Sequence, residues 1–391
     1  MISYNQDPLF PLTDEEEALL ALTHQVCRRE ILPARAELDE TGQFPAAILR
    51  KFREVGLFAG MFEAEYGGLG LSPLMPFRIV ETIAQYCLGV ATTFGASTTL
   101  AALPIKCGGT EAQKQKYLPL LAGGEKLGAL AVTEPDAGSD VLNLSTTAVK
   151  SGDYYVLNGV KQWITNAGQA DIYCIFAGTG SIGGISCFIV EKDTPGLSFG
   201  QLENKLGIRC SHTRQLILQD VAVPVDNLIG LKPNRGLLQL LQTLARSRVS
   251  VAALSVGVAT GAYHEAIKYT RQREQFGQKI IRFQALQHLL ADMLVKIETA
   301  RSLTYRAALY AATQHPQANT FSAMAKYYAS EIAMQVTTDA VQLHGGYGYS
   351  KEYPVEKMFR DAKILAIYEG ANQLLKNQIG DHIVRTAAQI A

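Results

Sequence analysis

The chain has 391 residues, 48% of them hydrophobic, and its 36 basic and 36 acidic side chains leave a formal net charge of zero. That length suits roughly two to three domains with sizeable cores, and the charge balance gives no basis for nucleic acid or an anionic membrane as the main partner. Six scattered cysteines (Cys27, Cys87, Cys107, Cys174, Cys187 and Cys210) form no CxxC pair, which argues against a metal site and a disulfide framework and for a reducing, cytoplasmic setting.

The first stretch, MISYNQDPLFPLTDEEE, lacks the basic and apolar runs of a signal peptide. LTDEEEALLALTHQVCRRE predicts a helix opened by Thr13 and Glu16 at capping-box spacing. PAAILRKFREVGLF and GTEAQKQKYLPLLAGG predict two more short helices, the latter ending at Gly123 and Gly124. Between them, Thr82 to Ile105 carries no charge, which raises a membrane span. Its Thr, Ser, Gly and Gln content favours a buried helix of small residues instead. The middle changes character. YYVLNGVKQWI reads as two strands around Asn158-Gly159, a type I′ hairpin signal. DIYCIFAG, GISCFIVEK and RQLILQDVAV continue the strand pattern. From about Gly236 the helical period returns. LLQLLQTLARSRVSVAALSVGVATGAYHEAIKYTRQRE reads as one very long helix, with further helices from about Phe283, Thr320 and Pro354. The order is α, then β, then α, with boundaries near residues 125 and 235. Strands without intervening helices argue against a doubly wound sheet.

Five motifs stand out. GTGSIG, Gly178 to Gly183, matches a dinucleotide loop, but another strand follows it where a helix should open, so it reads as a hairpin loop. AVTEPDAGSD, Ala131 to Asp140, offers Thr133 and Ser139 as donors beside the permissive Gly138; it suits phosphate or flavin polar atoms and equally a polar turn. KQWITNA holds the only tryptophan, Trp163, which is either a core residue on a sheet or, with Thr165, a flat ring and hydroxyl for a planar cofactor. QLHGGYGYSKEYPVEKMFRDAK packs three glycines into four positions, a turn open to close ligand approach; His344 within it lacks an acid or Cys partner and reads as structural. ILAIYEGANQLLKNQIG, Ile364 to Gly380, reads mostly as helix, with one carboxylate, Glu369, behind an apolar run and before Gly370. Its ionised form is costly there, unless it simply complements a helix N-terminus.

Together these motifs resemble the acyl-CoA dehydrogenase family of flavoproteins. VTEPDAGSD is similar to its first signature, and Gln342, Gly345, Gly346, Gly348 and Tyr349 with Glu352, Lys357 and Asp361 to its second. KQWITNA, ENKLGIR, REQFGQ and IYEGANQ are family-like too, and the likeness spans essentially the whole chain. It implies an α+β multidomain fold: an N-terminal α-helical domain (1–125), a middle β-barrel (126–235) and a C-terminal four-helix bundle (236–391). It also implies FAD held between the last two domains. Val132, Thr133 and Ser139 then meet the flavin and pyrophosphate side. Trp163 and Thr165 flank the ring. Arg273, Phe276, Gln342 and Gly346 reach the FAD of a neighbouring subunit in a homotetramer, a dimer of dimers. Ala371 and Gln373 touch the adenosine half.

The same resemblance gives Glu369 the role of catalytic base, taking the α-proton of an acyl thioester as the β-carbon passes a hydride to FAD. Ser139, Arg248, Tyr368 and Gly370 then fall beside the substrate. In some relatives the base comes from the long helix beside an arginine; here that position is Ser247, which cannot serve. Three departures stand out: Ala245 where relatives often carry an acid near the pantetheine arm, Ala371 after YEG, and Asn143 at the end of the first signature. The leading reading is an acyl-CoA dehydrogenase passing electrons to an electron-transferring flavoprotein. The alternatives are oxidation of an acyl or aminoacyl group tethered to a carrier protein, an oxidase using oxygen, and a catalytically retired structural homologue. Acyl length and branching stay open. Small residues between Thr82 and Leu103 are expected to form one wall of the acyl pocket.

Overall fold

The computed structural model describes residues 8–180 and 184–387. The N-terminal third is helical: α1 (Asp14–Val26), α2 (Leu32–Thr41), α3 (Ala46–Glu54), α4 (Met75–Tyr86), α5 (Leu88–Gly95), α6 (Ala102–Gly108) and α7 (Glu111–Ala122). The expected capping box forms. Glu16 N donates to Thr13 Oγ1 at 3.3 Å and Thr13 N to Glu16 Oε2 at 3.1 Å, and four acidic residues in the first turn of α1 complement its dipole. Thr110 and Gln113 repeat the device at α7. α5 and α6 join through a widened helical turn, Ala96–Ala101. This uncharged stretch is a core helix, with 94% of its most apolar window inside the protein.

The middle of the chain forms one seven-stranded sheet. Its strands are β1 (Gly128–Ala131), β2 (Thr147–Ser151), β3 (Tyr154–Thr165), β4 (Ile172–Gly178), β5 (Ile185–Glu191), β6 (Leu197–Leu202) and β7 (Thr213–Pro224). The order is β1-β4-β2-β3-β7-β6, with β5 on β4, and only the β1–β4 and β2–β4 pairings are parallel. The sheet curls around its own core, which includes Leu157, Tyr173, Phe188 and Leu216; the barrel expected from the sequence takes this curled form.

The Asn158-Gly159 hairpin does not form. Both residues lie inside β3, and the turn falls between Ser151 and Tyr154. The register of β3 against β7 slips between Leu157 and Gly159, so the pair marks a bulge. Glycine is needed there because an added Cβ would stand 2.5 Å from Thr146 Oγ1. Asn158 exchanges two hydrogen bonds with Asp220, at 3.0 and 2.8 Å. The GTGSIG motif does lie in a hairpin connection, since β4 and β5 pair antiparallel down to Gly178 and Ile185; its residues 181–183 fall outside the described residues.

The C-terminal part is helical again: α8 (Gly236–Gln272), α9 (Gln284–Ala312), α10 (Ala318–His344), α11 (Pro354–Ala362) and α12 (Asn372–Thr386). A two-residue-strand hairpin, β8 (Glu274–Gln275) and β9 (Gln278–Lys279), follows α8. α8 is the long helix read from the sequence, 37 residues. Every residue from 247 to 262 in it is buried, as expected for a stretch without a polar face. α4, α9 and α10 pack against it. Glu81 of α4 ties this core together, accepting from Arg301 Nε at 2.8 Å and Tyr305 Oη at 2.9 Å, while Arg301 Nη2 reaches Thr260 of α8 at 2.9 Å.

Candidate active site

Ile364–Gly380 is not one helix. A short helical turn, Lys363–Ala366, ends before Ile367, and α12 begins only at Asn372. Between them Glu369 and Gly370 have φ of +56° and +98°. Two successive left-handed residues cannot continue a right-handed helix. A non-glycine residue held this way costs of order 1–3 kcal/mol and persists only where its surroundings fix it.

The surroundings do fix it. Ser247 Oγ donates to Glu369 Oε2 at 2.6 Å. Arg248, the next residue of α8, donates from Nε to the Glu369 carbonyl at 3.1 Å and from Nη1 to Gln378 Oε1 at 2.8 Å. Lys326 of α10 donates from Nζ to the Gly370 carbonyl at 2.8 Å. A side chain at 370 would stand 3.3 Å from Arg248 Nη2 and from Leu375 Cδ2. Burial pushes the Glu369 carboxyl above its ordinary value, while the Ser247 bond, Arg248 and Lys326 pull it back. Part of the residue keeps access to the surface. A desolvated carboxylate with one short hydrogen bond and partial access is suited to taking a proton.

Of the other residues expected here, Tyr368 places its hydroxyl in the interior near Thr92 without a formed hydrogen bond, and burial pushes the phenol up. Ala371 caps α12 through its carbonyl, which accepts from Leu374 N at 2.9 Å. Gln373 is exposed on the first turn of α12.

The sheet contributes a second group. Trp163 sits at a register break of β3 with φ +62° and is 57% exposed, so the core reading of this tryptophan falls. The bulge turns the ring out of the sheet. Thr165, two residues on, pairs with Thr213. Val132 and Thr133 lie beside them: their carbonyls accept from Lys161 Nζ at 2.9 Å and from Gln162 N at 2.8 Å. Ser139 is exposed, next to Gly138, where an added Cβ would meet nothing within 4 Å. Glu134 and Lys161 form a fully buried ion pair at 2.7 Å, and Glu134 also accepts from Ser145 and Thr146. Burial opposes charge on Glu134, but the bonds from Lys161, Ser145 and Thr146 hold its carboxyl down to about 2. This pair anchors the VTEPDAGSD loop to β3.

Arg273, Gln342 and Gly346 come together in a separate cavity of about 520 Å³, lined also by Tyr269, His344 and Tyr347. Arg273 stands 5.5 Å from the Tyr347 ring. Phe276, at the tip of the β8–β9 hairpin with φ +51°, is 93% exposed and does not line that cavity. Neither Glu369 nor any of its partners lines it. Among the described residues His344 pairs with no acid; its Nδ1 lies 2.8 Å from the Ala340 carbonyl and its ring stacks on Tyr269, the structural role read from the sequence.

Four residues at these sites carry no assigned part in the reading of the sequence. Ser247 was recognised only as a position unable to act as base. Glu134 and Lys161 stand inside quoted motifs, and only the fold pairs them. Lys326 gave one signal, a lone cation amid the small residues of FSAMAKYYAS.

Three family models match the chain: the acyl-CoA dehydrogenase N-terminal domain over residues 13–125, the middle domain over 129–221 and the C-terminal domain over 234–384. A short-chain specific acyl-CoA dehydrogenase of Clostridium acetobutylicum is 45% identical, over 96% of this chain and 100% of its own length. The butyryl-CoA dehydrogenase structure of Megasphaera elsdenii is 42% identical with a TM-score of 0.93, covering 96% of this chain and 99% of the other. A chain from the structure of the electron transferring flavoprotein of Acidaminococcus fermentans, concerned with flavin-based electron bifurcation, is 44% identical with a TM-score of 0.93, covering 96% and 99%. Fold and site define an oxidoreductase of helix–sheet–helix build with a partly buried carboxylate between α8 and α12. The chain belongs to the acyl-CoA dehydrogenase family.

Proposed function

We propose that this protein is an FAD-dependent acyl-CoA dehydrogenase that introduces a trans α,β double bond into a short acyl thioester, with Glu369 as the base. The observation that carries this reading is the Glu369 carboxylate: partly buried, pushed above its ordinary pKa, held by Ser247 and placed on a left-handed turn fixed by Arg248 and Lys326. A structural carboxylate is normally paired with a cation; among the described residues the hydrogen bond to the Glu369 carboxylate comes from a neutral hydroxyl.

The residues present fit FAD. Trp163 offers an exposed flat ring beside Thr165. The Val132–Ser139 loop is fixed from behind by the Glu134–Lys161 pair. The Gly345 and Gly346 turn is open, with nothing within 4 Å of an added Cβ, beside the cation Arg273. FAD, when bound, supplies the acceptor for the hydride that leaves the β-carbon. Glu369 receives the α-proton at its carboxylate. Ser247 holds that carboxylate in one rotamer and Arg248 holds its backbone. The Glu369 amide is the donor proposed for the thioester carbonyl, where charge develops as the proton leaves.

Short acyl groups are favoured by a hydroxyl pair. Thr99, on the wide turn between α5 and α6, lies 2.8 Å from Ser250 Oγ of α8. Ser250 is on the face of α8 that carries Ser247, about one turn further on. Both are buried, and a Cβ added at Gly95 would stand 3.4 Å from Thr99 Oγ1 and 3.9 Å from Ser250 Oγ. This link supports a closed end to the acyl site a short way beyond the base. The names of the relatives agree with it.

The cavity around Arg273 does not include the Glu369 group, which supports the reading that Arg273, Gln342 and Gly346 serve the FAD of a neighbouring subunit in a tetramer. The similarity to a structure described as an electron transferring flavoprotein supports such a flavoprotein as electron partner. The decisive experiment is anaerobic bleaching of the bound flavin by a panel of free acyl-CoAs and carrier-loaded thioesters. Bleaching by butyryl-CoA is the expected result. Bleaching only by a carrier-loaded thioester would replace this reading with the carrier one.

A further inference from the structure

Lys326 takes no part in the chemistry described so far, yet it touches the turn that carries Glu369. It lies on α10 and is 0% exposed. Its Nζ donates to the Gly370 carbonyl at 2.8 Å and to Asn372 Oδ1 at 3.0 Å. Asn372 is itself held, donating to Ser330 Oγ at 2.9 Å and Glu331 Oε1 at 2.7 Å. One residue earlier, Arg248 Nε donates to the Glu369 carbonyl at 3.1 Å. Two cations from two helices thus hold two successive carbonyls. The residues that own those carbonyls are the two in left-handed conformation.

We propose that Lys326 is a positioning residue for α-proton abstraction: by holding the Gly370 carbonyl and the Asn372 cap, it fixes the turn that sets where the Glu369 carboxylate stands. This rests on the reading of Glu369 as base. A fully buried ammonium is a poor way to fill space, because its desolvation is costly and an apolar side chain of similar length would avoid it. Its bonds go to the backbone and cap of the turn, so holding that turn is what its donors do. Its field adds a second effect. Burial draws Lys326 down to about 7, Glu369 of the turn and Glu331 of α10 favour its charged form, and Arg248 of α8 opposes it. In return the ammonium favours the ionised Glu369.

The test uses the purified flavoprotein with Lys326→Met, close in length but without donors, and Lys326→Gln, which keeps one donor group. Flavin content, butyryl-CoA affinity and the anaerobic flavin reduction rate are measured across pH, with Glu369→Gln alongside. Both variants are expected to keep their flavin and to bind butyryl-CoA within about threefold of wild type, because Lys326 acts through the turn that carries the base and the amide donor, whose interactions strengthen as charge develops. Reduction is expected to slow roughly a hundredfold in the Met variant and roughly tenfold in the Gln variant, with the acid limb of the profile moved to higher pH. Wild-type rate and profile in the Met variant would overturn the proposal. So would a rate loss matched by equal loss of flavin and of butyryl-CoA binding, or failure of both variants to hold flavin, since either assigns Lys326 to the fold alone. If only the Met variant fails to fold, the Gln variant decides by the same criteria. If Glu369→Gln still reduces flavin at the wild-type rate, the base reading falls and Lys326 with it; if Glu369→Gln is inactive while Lys326→Met matches wild type, only Lys326 falls.

Discussion

Ser247 Oγ donates to Glu369 Oε2 at 2.6 Å, so the position unable to supply the base supplies its hydrogen bond instead. The serine bond favours the ionised carboxylate. It lowers a carboxyl that burial raises. Ser247→Ala removes a hydrogen bond to a charged group, an effect of about 1.5–3 kcal/mol, and leaves burial to push the carboxyl further up. Glu369 acts in its ionised form, which is lost as pH falls through its pKa. The acid limb of the flavin-reduction profile is therefore expected to move upward in Ser247→Ala. A limb that stays in place would separate Ser247 from the base.

The Thr99–Ser250 link leads to a prediction on chain length. Thr99→Ala with Ser250→Ala removes the hydroxyl pair and opens room beyond the base. The ratio of kcat/KM for hexanoyl-CoA over butyryl-CoA is expected to rise roughly tenfold, the scale set by accommodating one or two extra methylenes. An unchanged ratio would place the end of the acyl site elsewhere.

Glu134→Gln tests the anchor of the flavin loop. It leaves Lys161 buried without its partner, a change that typically costs about 3–5 kcal/mol. Glu134 has a depressed pKa, about 2 against an ordinary 4.5. Its stabilisation is thus present above about 4.5 and fades as pH falls towards 2. Thermal unfolding is expected to show a lower Tm for the variant near neutral pH, a gap that narrows as the solution is acidified through that window, and weaker flavin retention. Equal Tm at neutral pH would mean the pair does not support the loop.

Arg273→Ala tests the shared flavin site. If Arg273 holds the FAD of a neighbour, its loss weakens flavin retention and, through linkage, subunit association. Flavin content and sedimentation velocity read both. No change in either would confine the Arg273 cavity to another role.

Much of this was legible in the sequence because the signals were local. Thr13 and Glu16 announce a helix start whatever surrounds them. The apolar run through Val249–Ala262 has no polar face, so α8 had to be buried. The failures were also physical. Asn158-Gly159 has the residues of a tight turn, but the same freedom serves a bulge, and only the approach of Thr146 shows which was needed. Helical spacing continued through Ile367–Ala371 because spacing does not register a positive φ at a glutamate. Trp163 was open between core and surface until the β3 bulge turned it outward. The partners of Glu369 come from positions 247, 248 and 326, and no sequence period connects them; α8 and α10 must pack before they meet.

The account stands or falls on Glu369, and the most direct measurement is anaerobic flavin reduction by butyryl-CoA in Glu369→Gln. The amide is the same size and can still accept from Ser247, so flavin content and substrate binding are expected to match wild type. The reduction rate is expected to fall by at least about a thousandfold, because the base is gone while the site remains. Reduction near the wild-type rate would contradict the account and move the proton to another residue.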